Sequence, residues 1–505
     1  MRASLRGRIL PALLVVLALG AVYGAGSLRH PAASAASAAS RPGRAPVVSA
    51  LRACPAPGST GVTAGGVALA AAPGSAGQGQ AVISRLIPAG ASTAGPAVSS
   101  VTAPGQLQLL PVTAAPAVPK ALAAGQAGSS AAVRTSAGRG GILIQATGAL
   151  AQGIEAEQTG PGGLVTARCE APGTSFWFVG PGQKSAAQIE VYLINPDGQA
   201  ADAQVSALTD ENPLVSSDTG IAVPPHSMVV QSLNALLSSS QVIALHVSTS
   251  VGRVSAAVRL ARSPSEPGGW LPAAQQPARN LVIPGVPGTT GTRVLYVAVP
   301  GGSGSAQVKI TAVTAKGSYQ PTGGSGIDLP GSSAWAVQLP SLSGVAAAIR
   351  VSASVPVTAA ISVPGGAAGA PAALAVASAP VQQQGVIADN PAGPAGSAEL
   401  VLSAPWAAAS VRVTDATATV PFGREPSTTV QVAAGHTAVL PLRTPPGVKA
   451  GDFAVLVTPL PGSGLVYAGR VLTAGGVTQS ILPVISSPTW VALPAVGESM
   501  TALGS

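Results

Sequence analysis

The chain has 505 residues, of which 62 are glycine and 47 proline, while 47% are hydrophobic, 3% aromatic and 9% charged. So many backbone punctuators exclude long helices and a coiled coil, and the apolar, weakly charged composition excludes a disordered chain. The formal net charge of +9 does not point to nucleic acid: Arg2, Arg6, Arg8, Arg29, Arg41 and Arg44 open the chain with no acid among them, and no later run clusters the Lys and Arg that phosphate binding needs.

Arg2, Arg6 and Arg8 precede an uncharged apolar stretch, Ile9 to Gly26. Cations ahead of an apolar segment keep the chain start in the cytoplasm. As a helix the stretch would span about 27 Å, near the hydrocarbon thickness of a bilayer. It reads as a transmembrane anchor, with the lipid bilayer as partner of residues 9–26 and the body outside the plasma membrane. Small residues at Gly24 to Gly26 and Ala33 to Ala35 also suit signal cleavage, which would make the body secreted. Pro31 to Pro46, rich in Ala, Ser, Pro and Arg, reads as a stalk.

Beyond the stalk the chain repeats itself. The block around Val247 (Ala244 to Val251) recurs around Val351, Val457 and, more faintly, Ile144, at steps of 104, 106 and 103 residues. A second block, around Val205, Val308 and Val411, keeps steps of 103 and 103. A third, around Val223, Leu329 and Val432, keeps 106 and 103. A domain-sized period means tandem domains rather than a solenoid. The division expected is 1–46 for tip, apolar segment and stalk, then units at 47–165, 166–290, 291–395 and 396–505.

Each block alternates apolar with small or polar residues, as does Gln188 to Ile194, the mark of strands buried on one face. Turn formers separate them: Asn195-Pro196-Asp197-Gly198, Pro224-Pro225, Pro300-Gly301-Gly302 and Pro461 to Gly464. About seven strands per unit predict an all-β fold of tandem immunoglobulin-like β-sandwiches, with one short helical turn at Leu233 to Leu237. With so few aromatics the cores must be valine, leucine and alanine, and such thin cores favour close packing between neighbours.

Cys54 and Cys169 are the only cysteines. In an exported chain an even pair reads as a disulfide; two buried free thiols are the competing reading. A bridge would clamp the start of the first unit to the start of the second. Two cysteines alone cannot build a structural zinc site.

The run Gly163 to Gly182, containing Arg168, Cys169, Pro172 and Phe176-Trp177-Phe178, continues in Tyr192 to Pro196, Trp270-Leu271-Pro272 and Leu281 to Pro287. These segments resemble the actinobacterial membrane-anchored proteins grouped as the DUF5719 family. The resemblance covers most of the chain after the stalk and is best over 163–365. It implies an exported, β-rich envelope protein of a high-GC bacterium and carries over no catalytic or ligand residues.

Candidate chemistry is sparse. His30 lies in the stalk, while His226 and His436 fall in one turn of the second and fourth units, where the third has Ser332-Ser333. A serine stand-in argues against a catalytic base and for solvated turn residues. His246 aligns with Arg350 and Leu456 and reads as an exposed strand position. Glu155 with Glu157, and Asp197 with Asp202, could serve glycoside hydrolysis or calcium binding, but read first as surface and turn acids. Gly301 to Gly304 lacks the lysine of a phosphate loop. Phe176, Trp177, Phe178 and Trp270 are aromatics for packing or for a ligand, with packing the stronger reading. Phe176 and Phe178 should point opposite to Trp177, so that either they or it is exposed; Trp335, on an alternating strand, reads as core.

Together these features point to a non-enzymatic, membrane-tethered extracytoplasmic structural or interaction protein of the bacterial cell envelope. No cofactor, metal or nucleic acid is expected, and the partner is an envelope protein or glycan. A glycan-binding module is the alternative; a hydrolase with an inter-domain site at Glu155, Glu157 or Asp210 is the second.

Overall fold

Period-two alternation becomes strand through most of the chain. The computed structural model describes residues 17–20, 43–55, 65–72, 78–88, 98–104, 133–137, 141–160, 165–211, 215–216, 220–263, 268–302, 304–364, 372–390, 396–416, 425–445, 453–475 and 477–493. Strand β1 (Arg44–Pro46) comes first. A first group follows: β2 (Ser49–Cys54), β3 (Gly65–Ala70), β4 (Gln78–Arg85), β5 (Ile87–Pro88) and β6 (Val98–Pro104). It continues with β7 (Val133–Ala137), β8 (Ile142–Gly148), β9 (Glu155–Thr159) and β10 (Thr166–Arg168). The second group is β11 (Ser175–Pro181), β12 (Gln188–Asn195), β13 (Ala201–Thr209), β14 (Val215–Ser216) and β15 (Ile221–Val223). Then come β16 (Ser227–Ser232), β17 (Val242–Val251), β18 (Ser255–Ala261) and β19 (Gly269–Leu271). The third holds β20 (Ala278–Val286), β21 (Arg293–Val299), β22 (Ser305–Thr314) and β23 (Gly317–Tyr319). It ends with β24 (Ile327–Pro330), β25 (Ser333–Leu339), β26 (Ala347–Val363) and β27 (Ala373–Val376). The fourth is β28 (Gly385–Asn390), β29 (Ser397–Ala404), β30 (Ala409–Ala416) and β31 (Ser427–Val432). Its remainder is β32 (His436–Leu442), β33 (Phe453–Pro459), β34 (Tyr467–Ala474) and β35 (Val477–Val484), and β36 (Trp490–Ala492) closes the described chain.

Each group is a two-sheet sandwich, and the same strand order recurs. The repeated block around Val247 always lies on a strand held between two others: β2-β8-β4, β11-β17-β13, β20-β26-β22 and β28-β33-β30. The opposite sheets run β10-β9-β3-β7, β19-β18-β12-β16 and β32-β29-β34-β35; in the third sandwich β21 joins β25 to the second half of β26, which carries β27. The architecture is the immunoglobulin-like sandwich with a change of order. Constant-type domains place the first strand beside the second; here it joins the sheet of the repeat-bearing strand, and the strand after that one pairs with the second. In the third sandwich both roles fall to one 17-residue strand, β26. Its exposed Pro356 marks where the chain crosses between sheets, at a break in the ladder where no N–H is required.

Val, Leu, Ile and Ala fill the space between the sheets of each sandwich. The cores do not stop at the sandwich faces. Leu143 of the first packs with Tyr192, Ile194 and Met228 of the second. The core of the second runs into Ala298, Ala360 and Val376 of the third, and that of the third into Val401, Val471 and Ile481 of the fourth. Finally Ala68, Ala70 and Ala72 of the first meet Val386, Ala388 and Ala454 of the fourth. Each sandwich thus packs on the next, and the last on the first: the packing closes into a ring. Small residues make this possible, because the strands can approach almost to backbone contact. A side chain added at Gly469 would lie 2.5 Å from the Cα of Gly285, which itself has φ +84°.

The ring, Pro46–Thr489, forms one compact unit; Met1–Ala45 with Trp490–Ser505 forms the other. In the smaller unit β1 pairs with β36, and the Arg44 guanidinium lies 4.0 Å from the centre of the Trp490 ring. Of the apolar stretch 9–26 only 17–20 are described, as exposed helical residues, so the anchor falls outside the described residues. Among the described residues no helix is long and apolar enough to cross a membrane. The single turn foreseen at Leu233 to Leu237 is present, with the Leu237 amide donating to the Leu233 carbonyl at 3.0 Å.

Candidate functional site

Beside its apolar contact, the closure between the first and fourth sandwiches holds a buried cluster of charged and polar side chains. β9 is covered on one side by its own core and on the other by the fourth sandwich, so all five of its residues are buried. Glu155 and Glu157, expected as surface acids, are therefore only 2% and 3% exposed. Two positions apart on one strand, they share a face, and that face is not solvated. Glu155 Oε1 accepts from Arg52 Nη2 at 3.1 Å and from Ser487 Oγ at 3.0 Å. Glu157 Oε2 accepts from Arg470 Nη2 at 2.7 Å, and its Oε1 from the Ala388 amide at 3.1 Å. Arg470 also donates to Thr166 Oγ1 at 3.0 Å and to the Asp389 carbonyl, and Thr166 shares a 2.7 Å hydrogen bond with Ser480. Burial pushes Glu157 above the usual carboxylate range, against the pull of Arg470.

Beside this latch Arg168 Nη2 donates to the Pro483 carbonyl at 3.1 Å. Burial pushes Glu170 up to about 7, Arg168 opposing the rise. Glu170, Arg168, Phe178 and Trp270 line a cavity of about 20 Å³, the size of a single water. Cys54 and Cys169 are joined in a disulfide at the same place, next to the backbone bridge between Ala53 and Glu170.

The four aromatic candidates all pack against other side chains. Trp177 and Phe178 are both buried, correcting the either-or expectation, because β11 is covered on both faces. Phe176 packs against the same core, and Trp270 meets Tyr192 edge-on at 5.2 Å. His246 is half-buried rather than exposed: Trp177 stacks on it at 4.4 Å, Ser175 Oγ lies 2.9 Å from its Nε2, and burial lowers its pKa. The exposed tryptophans are others. Trp335, expected in a core, is 41% exposed, and Trp406 is 46% exposed.

The remaining candidates do not converge. His226 is an exposed turn residue with φ +47°, matching Ser332 at φ +57° and Gly435 at φ +74°; His436 follows one position later, its Nδ1 2.8 Å from the Ala434 carbonyl. Asp197 pairs with Arg253 at 2.8 Å, whereas Asp202 accepts from Ser250 Oγ at 3.1 Å, so the two acids serve different partners. Asp210 Oδ1 accepts from the amides of Gln241 and Val242. Among the described residues no three His, Cys, Asp or Glu side chains gather to hold a metal ion. Sequence reasoning missed Arg470. Its signal was an arginine inside the otherwise apolar Tyr467 to Leu472, opposite in sign to the acids of β9.

No curated protein and no solved structure matches the chain. A model of a family of unknown function, DUF5719, matches residues 121–443, from within the first sandwich through β32 of the fourth. That is well over half of the sequence, and it takes in the segments around Trp177, Trp270 and Pro284 that carry the resemblance. The chain belongs to the DUF5719 family.

Proposed function

We propose that this protein is a non-enzymatic, membrane-tethered extracytoplasmic structural or interaction protein of the bacterial cell envelope. The observation that carries the reading is the closure seam: the acids best placed for hydrolysis, Glu155 and Glu157, are buried and bound by Arg52, Ser487, Arg470 and the Ala388 amide. Groups so held act as a latch. The Cys54–Cys169 disulfide supports an oxidising compartment, and Arg2, Arg6 and Arg8 ahead of the apolar stretch support a tether.

Crosslinking in intact cells, followed by identification of captured material, tests the proposal. Envelope components should be recovered, and the body should be cleaved by protease added outside spheroplasts. A protected body with reduced cysteines would overturn it. A glycan-binding role is favoured by one specific observation, the exposure of Trp335 and Trp406.

A further inference from the structure

On the first sheet of the third sandwich, alternate residues of β22 divide between core and surface: Val308 and Ile310 point inward, Gln307 and Lys309 outward. Lys309 stands opposite Ser352 of β26, and Thr311 opposite Arg350; Gln307 stands opposite Asp328 of β24. The Gln307 backbone N–H donates to Ser354 Oγ at 3.0 Å. Gln307, Lys309, Asp328, Ser352 and Ser354 thereby line an open groove of about 480 Å³, within the range of small-ligand sites. Two positions along β26 from Ser352, the Arg350 guanidinium lies 5.1 Å from the centre of the Trp406 ring. Trp406 comes from the turn between β29 and β30, rests edge-on against buried Tyr467 at 5.7 Å, and leaves nearly half its surface in solvent.

From this arrangement we infer that the groove binds a saccharide chain bearing carboxylates. Neither Lys309 nor Arg350 has a carboxylate within ion-pair distance among the described residues, whereas the groove holds one acid, Asp328. The surplus is cationic and suits an anionic ligand. Serine hydroxyls, the Gln307 side-chain carboxamide and the Asp328 carboxylate match sugar hydroxyls as donors and acceptors. Beyond the groove, past Arg350, the exposed part of the Trp406 ring offers a flat apolar surface for the C–H face of a pyranose ring. Two cations are too few to follow a phosphodiester backbone, which needs a basic track with successive stacking platforms. The inference rests on the reading of the body as an interaction protein and names one partner class and its place.

The test is calorimetric titration of the purified full chain with tetragalacturonate, maltotetraose and a four-residue oligothymidylate. Tetragalacturonate should bind with at least about tenfold preference over the other two, and more weakly as salt rises. Lys309→Met and Arg350→Met should each weaken it about fivefold or more while barely changing maltotetraose, and Trp406→Ala should weaken both sugars. Trp406→Phe, which keeps the contact with Tyr467, should retain part of the affinity and guards against a folding defect in the alanine variant. No saturable binding of tetragalacturonate at millimolar concentration, unchanged binding by the Lys309 and Arg350 variants, or equal binding of the oligothymidylate would each overturn the inference. Capture of envelope proteins in the cell experiment, alongside failure of the sugar titration, would remove this site and leave the broader reading standing.

Discussion

Arg470 is wholly buried, and its charge is answered by one carboxylate, one hydroxyl and one backbone carbonyl. Breaking a buried pair from one side leaves an uncompensated charge, whereas replacing both members by apolar groups is often neutral. Arg470→Met should therefore destabilise the protein by about 3–5 kcal/mol, and Arg470→Met combined with Glu157→Leu should recover most of the loss. Urea denaturation of the two single variants and the double measures the coupling. Glu170 makes a different prediction. Its pKa rises from an ordinary 4.5 to about 7 on folding, so the folded state binds the proton more tightly. Its contribution is fully present below pH 4.5 and is lost as pH rises to about 7. Arg168 and Arg52 oppose the rise, and Glu155 adds to it. Glu170→Gln should flatten the fall in stability over this window, which urea midpoints at successive pH values would show; an unchanged slope would assign it to other groups.

At the scale of elements, β9 and β11 share a property that sets them apart from ordinary sandwich strands: both faces are covered. Covering requires close approach, and the Gly285–Gly469 contact shows how little room the strands leave. The disulfide ties the end of β2 to the chain leaving β10, closing a loop of 115 residues. In the chain-entropy account such a loop contributes about 4–5 kcal/mol. Reduction, or Cys54→Ala with Cys169→Ala, should lower the unfolding free energy by about that amount with little change in the folded spectrum. A loss well below 1 kcal/mol would mean that the seam holds these elements without the bridge.

For the whole molecule, ring closure means that each sandwich is stabilised by two neighbours. Thin valine and alanine cores gain from this, because they run on into the adjacent sandwich. The Val47 amide donates to the Thr489 carbonyl at 2.9 Å, so the two ends of the ring meet. A circular permutant joining 489 to 47 and opened at the exposed Gly301–Gly302 turn should fold, since it breaks no packing between sandwiches. Scanning calorimetry should show one main transition for both parent and permutant. Four separate transitions would mean that the sandwiches are independent.

The strands, the repeat and the sandwich architecture were legible in the sequence. The blocks around Val247, Val205 and Val223 carry their alternation locally and repeat it in register, and they form corresponding strands in the structure. What could not be read was which outward faces would be covered. Glu157 looks the same on paper whether its face meets water or Arg470, and these two residues lie 313 positions apart. Alternation alone also left open that Trp335 would stay exposed and that Trp177 of the neighbouring strand would cover His246. Alternation states that a strand has two faces, because side chains point to opposite sides of a pleated backbone. Only the packing of sandwich on sandwich, ring closure included, decided which of those faces would lose its water.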